Sequence, residues 1–199
     1  MKKDNHTHLF DPDNELMKRV GRGELTAFKQ LVEKYQKKVM GTIYRYCGNR
    51  QETEDVAQEI FFKVYKAAPH YTPRAHFTTW LYKVVVNHCL NYLRNQKKDA
   101  LFASPDTLSR GEENIFSPFP QLQGEQPESL LQQQELQEIL KKAIGELPER
   151  QRMALILHRF EGLSYKEIAL VLGCSLSAVE SLLFRAMISL KEKLKIYFT

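Results

Sequence analysis

Four of the eight prolines in this chain fall in one stretch, Asp99 to Gln134: DALFASPDTLSRGEENIFSPFPQLQGEQPESLLQQQ. Proline fixes φ and removes a backbone donor. Four of them, with two glycines and many Ser and Gln, mark a linker rather than a packed element. On either side, apolar residues recur at helical spacing. Leu25, Phe28, Leu31, Val32, Tyr35, Val39 and Ile43 follow one another every one to four positions along one helix. Gly48-Asn49-Arg50 interrupts the pattern, a second helix is expected from Glu52 to Ala68, and Pro69 and Pro73 bracket a loop. A third helix starts at Phe77. Beyond the linker, helices are expected from Glu135 to about Ile144, from Glu149 to Phe160, and twice more after Gly162. No run alternates with period two. The expectation is an all-α protein with two small helical domains, residues 1–98 and 135–199, joined by a flexible linker over 99–134.

Several classes are disfavoured at this level. Nothing approaches 18 consecutive apolar residues, and the opening MKKDNHTHLFDPDNE lacks the apolar core of a signal peptide, so a cytoplasmic chain with no membrane insertion is expected. Cys47, Cys89 and Cys174 are odd in number and far apart, which argues against a disulfide framework or a zinc site. Cys89 and Cys174 read as small core residues. The histidines are scattered, with His6 and His8 in an N-terminal tail, and no metal or other cofactor is expected. A Gly-rich phosphate loop, a nucleophile elbow and HExxH are all missing, so an enzyme is not expected. The net charge of +5 is uneven: residues 1–100 hold 18 Lys and Arg against 11 Asp and Glu, 101–134 hold 1 against 5, and 135–199 hold 10 against 8. The excess in the first domain favours a polyanionic partner.

SYKEIALVLGCSLSAVESLLFRAMISLKEKLK carries the signature of a helix-turn-helix. Ser164 is placed to cap the first helix, with Glu167 three residues on as its capping-box partner. Ala169 supplies a small side chain at the crossing, Gly173 permits positive φ at the turn, and Ser175 or Ser177 caps the second helix. Val179, Leu183, Ala186, Leu190 and Leu194 form the inner side of that helix. Ser177, Glu180, Ser181, Phe184, Arg185 and Ile188 face outward. An aromatic ring beside Ser181 and Arg185 suits a thymine methyl together with base edges or phosphate.

Two faces stand out in the first domain. The helix after Glu52 buries Val56, Ile60, Phe61 and Val64 and presents Asp55, Gln58, Glu59, Phe62 and Lys66 on the other side. An apolar ring among acids reads as a docking patch for protein. FTTWLYKVVVNHCLNYLRNQKK is apolar around most of its circumference, except for one file: Trp80, Lys83, Asn87, Asn91 and Arg94. Cations for phosphates, amides for base edges, and Trp80 with Tyr71 as flat rings make a chemistry for single-stranded nucleic acid. For Trp80, core packing is the reading slightly favoured over exposure.

With these faces in place, the sequence resembles a known family. DVAQEIFFKVYKA followed by FTTWLYKVVVNHCLNYLR resembles region 2 of bacterial sigma factors. LPERQRMALILHRFEGLSYKEIALVLGCSLSAVESLLFRA resembles region 4. The chain is similar to a sigma factor of the extracytoplasmic-function (ECF) type. This implies core RNA polymerase (its β′ and β subunits), promoter DNA and an anti-sigma factor as partners. Asp55, Gln58, Glu59 and Phe62 match the segment that docks on the β′ coiled coil. The helix Phe77 to Arg94 and the loop before it match the part that opens the −10 element. There, Tyr71 and Asn87 fall where the family captures a flipped base, and Ala67 walls the pocket. Ser177, Glu180, Ser181, Phe184 and Arg185 match the −35 reader. Many members carry Lys or Arg at the positions of Glu180, Leu182 and Met187. Here the −35 helix is expected to lean less on phosphate attraction, with Glu180 placed to accept from cytosine N4.

As a coil, a linker of 36 residues spans roughly 30–36 Å, whereas elements two DNA turns apart lie on the order of 70 Å from each other. Weak promoter binding by the chain alone and strong binding with polymerase are expected. A stand-alone helix-turn-helix regulator is the competing reading. It accounts for the second domain but leaves the acidic-aromatic face and the Asn/Trp file without a task.

Overall fold

The computed structural model describes residues 11–102 and 127–197. His6, His8 and linker residues 103–126 lie outside it. Among the described residues all regular structure is helical: α1 (Pro12–Gly21), α2 (Leu25–Cys47), α3 (Arg50–Ala67), a 3₁₀ turn (Ala68–His70), α4 (Phe77–Phe102), α5 (Pro127–Gly145), α6 (Glu149–Arg159), α7 (Tyr165–Leu172), α8 (Leu176–Leu194) and a closing 3₁₀ turn (Lys195–Tyr197). Helix persists into both ends of the expected linker. The sequence after Lys98 holds no breaker before Pro105, so α4 continues to Phe102. Proline costs nothing as a first helical residue, which is how α5 begins at Pro127.

In the first half, α2 is the central rod. Its Ala27, Leu31, Tyr35, Val39, Ile43 and Tyr46 are buried against Met17 and Val20 of α1, Val56, Ile60 and Val64 of α3, and Phe77, Leu81, Val85 and Cys89 of α4. Not every periodic residue is core. Leu25 is 65% exposed, and Phe28 and Val32 are half-buried beside it. These three line an open groove between α2 and α3, so α2 carries a second apolar side. Phe61 lines the same groove, half-buried rather than in the core as its spacing suggests.

In the second half, Met153 to Leu157 form an unbroken buried run on α6. A helix apolar all round needs neighbours on every side, and α6 has them in α2, α7 and α8. The turn between α7 and α8 is built as expected. Ser164 and Glu167 form a capping box, Gly173 adopts φ +61°, and Ser175 is the residue that caps α8, accepting from Ala178 N at 3.2 Å. Cys174 sits in this turn, half-buried, while Cys89 is fully buried.

The halves also pack on each other, which the linker gives no hint of. α4 lies against α7, and α2 lies against α5 and α6. Core residues of both halves merge into one apolar cluster. At the seam, Glu161 from the loop after α6 is almost fully buried. It accepts from Thr42 Oγ1 at 2.7 Å, from Arg45 Nη1 at 3.3 Å, and from the Tyr82 hydroxyl.

Candidate nucleic-acid interface

The polar file on α4 is where its spacing puts it. Lys83, Asn87, Asn91 and Arg94 are all exposed on a helix whose Phe77, Leu81, Val85, Val86 and Cys89 are buried. Trp80, at the head of the file, is intermediate. Its ring meets Tyr71 at 4.9 Å between centroids, edge-on at 72°, and Phe77 at 5.8 Å. Trp80 and Tyr71 are thus brought together as a partly covered aromatic wall, not as two free faces. Ala67 ends α3, half-buried, immediately before the 3₁₀ turn that leads into this wall.

The loop in front of α4 is clamped by α1. Asp11 caps two helices at once: one carboxylate oxygen accepts from Asp13 N at 3.0 Å, the other from Phe77 N at 2.7 Å. Asn14, buried, accepts from the Tyr71 hydroxyl at 2.5 Å and donates to Ala75 O at 3.3 Å. Burial, helped by the negative charge of Asp11, raises the Tyr71 pKa, so the ring keeps its proton and can donate. The same α1 presses on the 3₁₀ turn through Gly21, where a Cβ would sit 2.5 Å from Ala68 O. Asp11, Asn14 and Gly21 escape the sequence reading. Asp11-Pro12 does read as a helix start, but nothing local reveals that its carboxylate also serves a helix 66 residues on.

On α3, Asp55, Gln58, Glu59 and Phe62 share the exposed side, with Phe62 57% exposed and the Lys66 ammonium 4.3 Å over its ring. This face runs directly into the apolar groove of about 790 Å³ lined by Leu25, Phe28, Met40, Gln58, Phe61 and Tyr65. Behind it, buried His88 of α4 accepts at Nδ1 from Lys63, 2.5 Å away. Its Nε2 lies 3.2 Å from Glu59 without the alignment of a hydrogen bond. Burial first, then the Lys63 charge, holds the His88 pKa below its ordinary value, against the pull of Glu59.

On α8, Ser177, Glu180, Ser181, Phe184 and Arg185 are all exposed, Phe184 by 66%. The Ser181 hydroxyl donates back to Ser177 O at 2.9 Å, so its donor is engaged while its lone pairs face outward. Tyr165 of α7 and Met187 join Glu180, Ser181 and Phe184 around a shallow hollow of about 620 Å³. Tyr165 was not anticipated, because it comes from the neighbouring helix. Met187, singled out only as a position where many members carry Lys or Arg, is exposed between Phe184 and Ile188 on the outward side. His158 packs edge-on to Tyr165 and reaches Leu163 O at 3.2 Å, an internal role. Among the described residues no three His, Cys, Asp or Glu side chains converge as metal ligands would. No single helix there is long and apolar enough to cross a membrane.

Comparison with known proteins identifies the family. Residues 31–99 match the family model for sigma-70 region 2, and residues 137–190 match that for sigma-70, region 4. The chain is 37% identical over 187 residues to the RNA polymerase sigma-H factor of Pseudomonas aeruginosa, covering 93% of this chain and 95% of that one. It is 36% identical over 183 residues to the ECF RNA polymerase sigma-E factor of Escherichia coli strain K12, covering 92% and 94%. In fold it resembles CnrH, solved in complex with the cytosolic domain of CnrY (TM-score 0.67, 23% identity, 94% of this chain and 99% of that one). It also resembles the sigma factor RpoE of Bartonella quintana, solved with the anti-sigma factor NepR (TM-score 0.66, 23% identity, 85% and 97%). Regions 2 and 4 in this order, and identity running through more than nine-tenths of the chain, place it in the sigma-70 family, among its ECF-type sigma factors.

Proposed function

We propose that this chain directs core RNA polymerase to specific promoters in the cytoplasm, reading the −35 element with α8 and opening the −10 element with α4. The observation that carries the reading is the exposed file Lys83, Asn87, Asn91 and Arg94 on a helix whose Phe77, Leu81, Val85, Val86 and Cys89 are buried, next to a clamped loop that presents Tyr71. A helix kept polar along one line, beside aromatic edges, is equipped to hold unpaired bases and their phosphates. In this reading Asn87 and Tyr71 receive a base flipped from the non-template strand, with Ala67 as a wall. Asp55, Gln58, Glu59 and Phe62, continued by the apolar groove beside them, dock on the β′ coiled coil. Ser177, Glu180, Ser181, Phe184 and Arg185, with Tyr165 and Met187 at the margin, face the major groove. An anti-sigma factor, the kind of partner seen with the Bartonella protein, covers these faces when the chain is held inactive. Residues 1–98 and 135–199 serve as the two working domains, with the linker between them.

Run-off transcription with purified core polymerase tests this. The chain is expected to confer initiation on a subset of a promoter library, and no transcript above that of core alone on any promoter refutes the reading. Phe62→Ala removes a ring from the centre of the docking face and is expected to weaken core binding by about 2 kcal/mol, roughly 30-fold, in a pull-down titration.

A further inference from the structure

We propose that Glu161 is a latch that holds the two halves of the free chain together, and that it must release before both promoter elements are engaged. Only the last clause rests on the sigma-factor reading. The latch itself rests on the seam. Glu161 has a side chain 3% exposed, in the loop between α6 and α7 that Gly162 turns with φ +70°. All three of its donors come from the other half: Thr42 and Arg45 from α2, and Tyr82 from α4. The Arg45 guanidinium also lies 4.4 Å over the ring of Phe160, next to Glu161. One turn into α7, Glu167 accepts from Thr79 Oγ1 of α4 at 3.3 Å.

A buried carboxylate is costly unless hydrogen-bonded. Here it is satisfied in either of two ways: by three protein donors when the halves touch, or by water when they part. An apolar seam offers no such second state. The polar centre makes this contact releasable, while the apolar cluster around it gives it strength.

The geometry requires release. In the latched form α7, the first helix of the helix-turn-helix, rests on α4, the helix that carries the strand-binding file. A folded body of this length is about 40 Å across. The two promoter elements lie on the order of 70 Å apart. A latched chain reaches one element or the other, not both.

Small-angle scattering on the full chain tests the latch. Glu161→Lys sets a cation against Arg45, and the paired change Thr42→Val with Tyr82→Phe removes two donors from the other half while keeping side-chain shape. Both are expected to raise the radius of gyration by at least about 4 Å over the wild type, with helical content by circular dichroism unchanged. Adding Arg45→Glu to Glu161→Lys is expected to restore the compact value. A radius that stays at the wild-type value in both variants overturns the latch. Run-off transcription keeps the two ideas apart: latch variants are expected to retain it. A wild type that never initiates refutes the sigma-factor reading, while the scattering still decides the seam.

Discussion

Tyr71 is fixed at both ends, its hydroxyl by Asn14 and its ring by Trp80. A side chain held this way is positioned in advance for whatever it meets, and most of the ordering cost is met in folding. Asn87, by contrast, is exposed and has the freedom to find a base edge. A good amide contact to a base discriminates by about 1–3 kcal/mol, so Asn87→Ala is expected to lower open-complex formation roughly 5- to 150-fold on permanganate footprinting, with core binding intact. The Asn87→Ala, Tyr71→Ala pair is expected to abolish strand opening. A second residue-scale test is His88. Its folded pKa is depressed by burial and Lys63 below the ordinary 6.5. Between that lowered value and 6.5 the unfolded chain takes up a proton that the folded chain refuses. Stability is therefore full above about pH 6.5 and is lost as pH falls through that window, and His88→Gln is expected to flatten the profile of Tm against pH. The file on α4 was legible because exposure on a helix follows spacing. The clamp was not, because Asn14 and Tyr71 are 57 residues apart and nothing local couples them.

Among the elements, the helix-turn-helix was the most legible, since each of its requirements is local. Ser164 and Glu167 exchange their bonds within one turn: Ser164 N donates to Glu167 at 2.9 Å, and Glu167 N donates to Ser164 Oγ at 3.3 Å. Ser164→Ala is expected to cost about 1 kcal/mol in chemical denaturation. Gly173→Ala, at φ +61° with open space around the Cβ, is expected to cost a similar amount through backbone strain alone. Gly21→Ala differs in kind. Its Cβ meets the Ala68 carbonyl, so it must push α1 off the turn that leads to Tyr71, and a loss of promoter opening alongside a lower Tm is the expected signature. The periodicity of α2 was read correctly as helix, but it did not separate the core side from the groove side. Leu25, Phe28 and Val32 have the same chemistry whether a neighbour covers them or not. Position in the tertiary packing decides, and it is written in α3 and α1 rather than in α2.

For the whole molecule, the linker reads as a tether between two small domains, and the structure adds a contact between them. The reason lies in polar pairs 79 to 119 residues apart, Tyr82 and Thr42 with Glu161, for which sequence carries no period. A shared apolar cluster predicts one cooperative transition in calorimetry of the wild type, resolving into two in Glu161→Lys. The fold class and the order of the two family regions were readable from composition and motif. The embrace between them was not.

Glu167 lends one carboxylate to two tasks. One oxygen stays with Ser164 at the start of α7, and the other reaches across to Thr79. Separation of the halves breaks only the second contact. The DNA-reading pair of helices then departs as a finished part, its first turn still closed by its own side chains, and needs no refolding on arrival at the duplex.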